Sequence, residues 1–207
     1  SNAIILDQIS ISASKVPTEL KKTGSSVTII TKDDIENSNE LFLIDYLNNI
    51  AGISVDQNGP PGMLSGINIR GSSARYAKVF VDGIDITNTS STQAAPYLAK
   101  FLLNNVERIE ILKGNQSSLY GSQAIGGVIN LTTNKPNKDG FTSSFSAEYG
   151  SYSTSNLNYS INNRTESNDL SLNFERFETD GFSATDATSE DDGYQNTNIN
   201  FNTRQYI

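Results

Sequence analysis

The sequence predicts an α+β region followed by a run of long antiparallel β-strands. Three observations carry that prediction. Asn105 to Thr133 sets two β-type runs, Glu107 to Leu112 and Gly127 to Thr133, around a segment dense in glycine and small residues. Nearer the start, Leu43, Ile44, Leu47 and Ile50 recur at helical spacing between β-branched runs. After Lys135-Pro136 the composition changes, and apolar residues alternate strictly with Ser and Asn in four successive segments.

The 207 residues suffice for one or two domains with a sizeable core. A net charge of −8 argues against nucleic acid as a partner, which calls for a basic face, and against a polybasic membrane patch. The chain has no cysteine, so disulfides and thiolate chemistry are absent. It also has no histidine, which removes the usual general base, the Ser-His-Asp triad and the commonest metal ligand together. No apolar run is long enough for a transmembrane helix. Ser1-Asn2-Ala3 reads as the scar of a cleaved expression tag.

Asp7 to Ala13 alternates like an extended strand, with no turn to pair it to a neighbour. It reads either as a frayed terminal strand or as a segment kept free to add to a partner's sheet. Val27 to Thr31 is a β-branched strand. Thr31 then caps a helix whose first turn carries Asp33 and Asp34, and Gly52 stops the helical pattern that ends at Ile50. Ile53 to Val55 is a short strand, Asp56 to Gly66 a loop, and Ile67 to Gly71 a strand closed by glycine. Ala77 to Ile86 is a hairpin about Asp82-Gly83, the dipeptide a type I′ turn prefers. Thr87 to Pro96 is a small, polar loop, and Tyr97 to Leu103 has the composition for one or two helical turns.

In the second half, Phe141, Phe145, Ala147 and Tyr149 mark the apolar side of the first strand. Leu157, Tyr159 and Ile161 mark the second, Leu170, Leu172 and Phe174 the third, and Ile199 and Phe201 the fourth. The connections Gly150–Thr154 and Asn163–Asn168 are short, whereas Thr179–Thr197 is long and acidic. Strands of this length suit a transmembrane barrel. Periodicity alone fits a soluble sheet with one wet face equally well.

Catalytic motifs are missing. Gly121 to Gly126 has the glycine spacing of a phosphate loop, but Gly127 stands where its lysine belongs. Asp180, Asp186, Glu190, Asp191 and Asp192 could hold calcium through oxygen ligands, although a solvated acidic loop has the same composition. Arg70, Glu107, Arg108, Glu110 and Lys113 lie in or beside apolar strands, where each needs a partner if buried.

Ile69-Arg70-Gly71, Val79 to Gly83, Val106 to Gly114 and Leu119 to Thr133 resemble, in that order, the plug domain of TonB-dependent outer-membrane receptors. Ser26 to Val55 resembles the family's opening strand-helix-strand. The likeness runs from about residue 7 to 136 and into the strands beyond, and its form is nearer to cobalamin and ferric-siderophore receptors than to glycan importers. Ala51 and Asn115 stand where the family usually has proline, which bears on the stiffness of two turns.

The resemblance implies an α+β plug (a small mixed sheet with short helices and hairpins) at residues 16–138. Residues 139–207 would be the first four or so strands of a barrel of about 22. A sheet left with an open edge invites self-association or loss of strand order after about Asp139. Residues 4–15 would be the TonB-box segment, with Asp7, Gln8, Ile9, Ser10, Ile11, Ser12 and Ala13 meeting the TonB C-terminal domain. Plug loops carrying Gln57, Asn58, Met63, Leu64, Ser65, Asn88, Ser90, Ser91 and Gln93 would face the outside and touch a metal-chelate ligand. Arg70 and Arg108 would pair with carboxylates of the barrel wall. The implied role is uptake of a scarce ferric siderophore or cobalamin across the outer membrane, with no enzymatic step and no cofactor beyond calcium in the acidic loop at Asp180, Asp186, Asp191 and Asp192. Haem or glycan uptake on the same fold is the alternative, and a secreted β-rich adhesin or hydrolase is the reading from another class.

Overall fold

The structure, a computed structural model, describes residues 10–11, 18–19, 26–59, 62–63, 65–88, 95–96, 98–181 and 192–206. The chain divides into two compact units. One runs to Asp56 and resumes over Ser65–Thr133, and the other joins Gln57–Leu64 to Asn134–Ile207.

The first unit is built on a five-stranded mixed sheet. Its strands are β3 (Ser26–Ile30), β6 (Ala77–Val81), β7 (Ile84–Asp85), β8 (Val106–Lys113) and β9 (Gly127–Thr133), in the spatial order β3-β8-β9-β6-β7. β6 and β9 run parallel, and the other neighbours run antiparallel. Register lines up Ile30, Ile109, Leu131 and Val81 in one row and Thr28, Ile111, Ile129 and Val79 in the next. Ile109, Ile111, Ile129 and Val79 are fully buried, which is what the alternation within these strands demands of one face. The other face is mixed. Val27, Leu112 and Val128 share it with Glu110 and Asn130, and Tyr120 and Ala124 pack over its apolar part.

Two short helices replace the continuous helical pattern. Thr31 caps α1 (Lys32–Glu36) by accepting from the Asp34 amide, and Asp34 returns the bond to the Thr31 backbone, closing a capping box. Its carboxyl is held below the usual carboxylate range by the Thr31 hydroxyl and amide. α2 (Leu43–Asn48) buries Leu43, Ile44 and Leu47. The two helices are separated because Phe42 bridges antiparallel to Leu102, the Leu43 amide donates to the Phe101 carbonyl, and Leu103 donates to Leu41. These same bonds hold Leu102 extended, so the helical turns expected over Tyr97 to Leu103 shrink to one 3-10 turn at Leu103–Asn105. Tyr97 lies outside the described residues.

The connection between β8 and β9 is more than a tight turn. It contains α3 (Ser117–Tyr120) and a 3-10 turn at Ser122–Ala124, closed at the base by Gly114 donating to Gly126 and Gln116 to Ala124. The Asn115 side chain accepts from the Ser117 amide and starts the helical turn. Gly127 is required by close approach, since a Cβ there would sit 2.5 Å from the Leu112 carbonyl. The predicted hairpin forms as expected, with Asp82 at φ 49° and Gly83 at φ 84° between β6 and β7. Asp82 also accepts from the amide and hydroxyl of Thr133, tying the turn to the end of β9.

Two smaller pairs complete this part of the fold. β4 (Ile53–Gln57) pairs with β5 (Ser65–Ile69). β1 (Ser10–Ile11) pairs antiparallel with β2 (Thr18–Glu19), a partner for which the sequence offered no turn signal.

The second unit holds a four-stranded antiparallel sheet of β10 (Gly140–Tyr149), β11 (Ser155–Arg164), β12 (Asn168–Thr179) and β13 (Tyr194–Gln205), in chain order. All four strands are formed rather than disordered. β10 and β13 are its edges.

Gly83 has open space around its missing Cβ, so Gly83→Ala should act through backbone strain alone. The left-handed conformation then lowers stability by about 1–2 kcal/mol, read as a shift in the urea midpoint of the first unit. An unshifted midpoint would mean that the turn changes type at no cost.

Candidate functional site

Gln57 ends β4, Asn58 is exposed beyond it, and Met63 is 48 % exposed on the same loop. Ser65 is instead a buried residue opening β5, so it is not presented as a surface contact. Asn88 is exposed just beyond the Thr87–Pro96 bridge, and its amide donates to the Ala95 carbonyl at 3.2 Å. Leu64, Ser90, Ser91 and Gln93 lie outside the described residues, as do Asp7, Gln8, Ile9, Ser12 and Ala13.

The two arginines have different surroundings. Arg108 reaches along its own strand to Glu110, Nε to Oε1 at 2.7 Å, and the Glu110 side chain is completely buried. Arg70 follows β5 in the left-handed region, φ 52°, with its amide donating to the Gly52 carbonyl at 2.8 Å. Its guanidinium lies near Gly114 and the buried Lys113, whose ammonium donates to the Ala51 carbonyl. Among the described residues no carboxylate pairs with Arg70. Burial first, and Arg70 second, pull the Lys113 ammonium below the ordinary lysine value. Lys113, one of the strand charges expected to need a partner, finds it in the Ala51 carbonyl, a backbone acceptor that sequence does not single out.

The second sheet has an inverted surface. Its apolar rows are the open ones: Phe145, Tyr159, Phe174 and Ile199 stand opposite one another across all four strands and are each 39 % or more exposed. The polar side chains of β10 stay largely exposed, whereas on the two middle strands they are the covered ones, with Asn156, Asn158, Ser171, Asn173 and Glu175 all buried. Those side chains bond one another across strands: Asn173 to Asn158 at 3.2 Å, Ser171 to Asn162 at 2.7 Å and Asn198 to Glu175 at 3.3 Å. A sheet folded for water does the reverse. This surface decides between the two readings that periodicity left open, in favour of an apolar exterior. Tyr149 and Tyr152 stand exposed at one end of the sheet and Phe141 near the other. A 10-residue strand spans about 33 Å, and a barrel tilt of about 45° leaves about 23 Å along the normal, close to the apolar band of an outer-membrane barrel.

Of the acidic loop, Asp180 and Asp192 are described. The Asp180 amide donates to the Tyr152 carbonyl at 2.9 Å. Asp186, Glu190 and Asp191 lie outside the described residues. Among the described residues no three acidic groups converge on a metal position.

A mixed-sheet α+β domain followed by antiparallel strands with an exposed apolar face is what a plug domain followed by barrel strands requires. Comparison with known proteins agrees. The family model described as TonB-dependent Receptor Plug Domain matches residues 19–128, more than half of the chain. The chain belongs to that family, whose members are outer-membrane receptors rather than enzymes. Among solved structures, the siderophore receptor PiuA from Acinetobacter baumannii is 21 % identical with a TM-score of 0.70 over 94 % of this chain. The ferric yersiniabactin uptake receptor FyuA from Yersinia pestis is 21 % identical with a TM-score of 0.68 over 87 %. The siderophore receptor PirA from Pseudomonas aeruginosa is 25 % identical with a TM-score of 0.62 over 90 %. The chain spans 26 %, 29 % and 33 % of those three proteins.

Two outcomes follow from the charged groups. Arg108→Met removes the Nε–Oε1 ion pair from the buried Glu110 carboxylate and costs on the order of 3 kcal/mol, whereas Arg108→Met with Glu110→Met recovers most of it. Chemical denaturation of both variants checks this, and a single variant as stable as the parent would show that other groups suffice to hold Glu110. Because the folded-state pKa of Lys113 is depressed, the folded chain binds that proton less tightly than the unfolded one. Stability therefore rises with pH from the depressed value up to the ordinary 10.5. Arg70→Gln moves the Lys113 titration upward and narrows that window, as followed by NMR of labelled lysine. A titration that stays put would leave burial as the sole cause.

Proposed function

We propose that the chain is the plug-bearing part of an outer-membrane receptor that takes up a scarce metal chelate, most simply a ferric siderophore, and is energised by TonB. The observation that carries the reading is a plug-family domain continuous with a sheet whose apolar face is outermost. Solved structures of similar fold are receptors for ferric yersiniabactin, ferripyoverdine and ferric enterobactin by name, which favours iron chelates as the ligand class.

In this reading the plug occupies residues 16–138 and the barrel begins at 139. The N-terminal segment faces the periplasm, and Asp7 to Ala13 add as a strand to the TonB C-terminal domain, backbone bonds supplying affinity. Gln57, Asn58, Met63 and Asn88, with Ser90, Ser91 and Gln93, meet the ligand from the outer side. Arg70 supplies a charge for a carboxylate of the wall. Arg108 does the same while held in aim by Glu110. Asp180, Asp186, Asp191 and Asp192 lie in an extracellular loop and would bind calcium through oxygen, the chemistry such a donor set offers.

Deleting residues 7–13 from the whole polypeptide should weaken binding of a TonB C-terminal domain by tenfold or more, about 1.4 kcal/mol at least. Equal affinity would sink the box assignment. Titration of the same polypeptide with ferric siderophores, cobalamin, haem and glycans tests the ligand class, with tight binding of a ferric siderophore expected. Selective binding of haem or a glycan would overturn that class and leave the fold untouched.

A further inference from the structure

Within its strands the polar face of the second sheet carries two large aromatic side chains, and both lie at one end; at the other, Tyr206 just beyond β13 donates to Asp169. Phe177 on β12 continues the row Asp169, Ser171, Asn173 and Glu175, yet it is apolar and 3 % exposed. Tyr194 opens β13 opposite Thr179, on the same face as Asn196, which stands opposite Phe177. The two rings are 6.1 Å apart and tilted at 46°. Elsewhere on this face the described strands offer Ser, Thr, Asn, Gly and charged residues.

Gly62 lies against Tyr194 of this pair and belongs to the same compact unit. A Cβ built on Gly62 would collide with Cδ2 and Cε2 of the Tyr194 ring and lie 2.9 Å from Cζ. Backbone conformation selects glycine there too, at φ 90°. Gly59, at φ 144°, leaves room for Met63 in the same way, since a Cβ at 59 would be 3.2 Å from the Met63 Cγ. The loop therefore presses bare backbone on an aromatic ring while Met63 stays 48 % exposed.

We infer that Phe177 and Tyr194 form a seat for the Gly62 loop, which makes Tyr194 a positioning residue for Gln57, Asn58 and Met63. The inference rests on the proposed receptor function for the word ligand, but the seat itself rests on geometry alone. A flat ring meeting backbone fixes the loop without spending any of its outward side chains. Ordering the loop before the ligand arrives lowers the entropy lost on binding. Tyr194 thus acts on affinity through the loop and touches no ligand itself.

Met63 is the only methionine in the 207 residues, so a 13C-labelled methionine methyl group is a private probe of the loop. The experiment uses the whole polypeptide, with Met63→Leu to identify the signal, and ferric enterobactin, ferripyoverdine and ferric yersiniabactin as binding probes. In Tyr194→Ala the Met63 signal moves towards the value of free methionine, and the Kd of whichever probe binds rises about tenfold. Tyr194→Phe, which keeps the ring, holds both within about twofold. Gly62→Ala should match Tyr194→Ala, and unchanged amide signals in β10 and β11 show that the sheet is intact. An unmoved Met63 signal in Tyr194→Ala overturns the seat. A moved signal with unchanged affinity overturns the positioning role. If the parent chain binds none of the probes, the siderophore reading fails while the Met63 signal still decides the seat.

Discussion

The first unit depends on β8 being buried on both faces while carrying charge. Ile109 and Ile111 fill one side, and Leu112 and the fully buried Glu110 fill the other. A lone buried carboxylate is costly, so Arg108 two residues back on the same face is a structural requirement before it is anything else. The neighbours of β8 follow from that. β3 and β9 cover its edges, Asn130 of β9 sits beside Glu110, and the β8–β9 connection folds Tyr120 and Ala124 back over the same face.

One rule, alternation with period two, builds both units, and the solvent decides what it means. In β8 and β9 the apolar side chains turn inward. In β10 to β13 they turn outward, and Ser and Asn side chains of the polar face bond one another across strands. Bonds between neutral hydroxyl and amide groups avoid the desolvation cost of ion pairs, and the buried Glu175 carboxylate on the same face accepts from the Asn198 amide. The charges of this sheet gather at its ends, as in Arg164 with Asp139 and Asp169. That is where a strand crossing an apolar layer can bear them.

Much of this was legible in the residues. Asp82-Gly83 names its own turn, Thr31 its cap, and the four alternating segments their strands, because each signal is local. The features that escaped are those fixed by distant partners. Phe42 and Leu102 bridge across sixty residues of chain and thereby split a helical pattern into α1 and α2 and reduce an expected helix to one 3-10 turn. The β8–β9 connection shows its glycines plainly, but its helical turn comes from the Asn115 side chain, which composition disguises as a turn residue. Which face of β10 to β13 meets solvent is also invisible to periodicity, since both answers have the same period. Among the candidate contacts, Asn58, Met63 and Asn88 are exposed and Gln57 is half-buried, whereas Ser65 is drawn into a strand by the alternation that starts there.

The residues that break a pattern then become the informative ones. Phe177 falls in a row of Asp, Ser, Asn and Glu, and a single misplaced phenylalanine in a strand is easily read as noise. It matters because its neighbour Tyr194 breaks the Asn row of the adjoining strand at the same end, and because Gly62, far away in sequence, lacks the atom that would collide with that ring. Three departures that converge in space are a constraint, where each alone is tolerance. The same logic distinguishes Arg70 from the other exposed arginines. It stands in a backbone conformation unusual for its type, beside a second cation, and among the described residues it has no acid to answer it. A non-glycine residue held at positive φ costs on the order of 1–3 kcal/mol, which the bond from the Arg70 amide to the Gly52 carbonyl helps to offset.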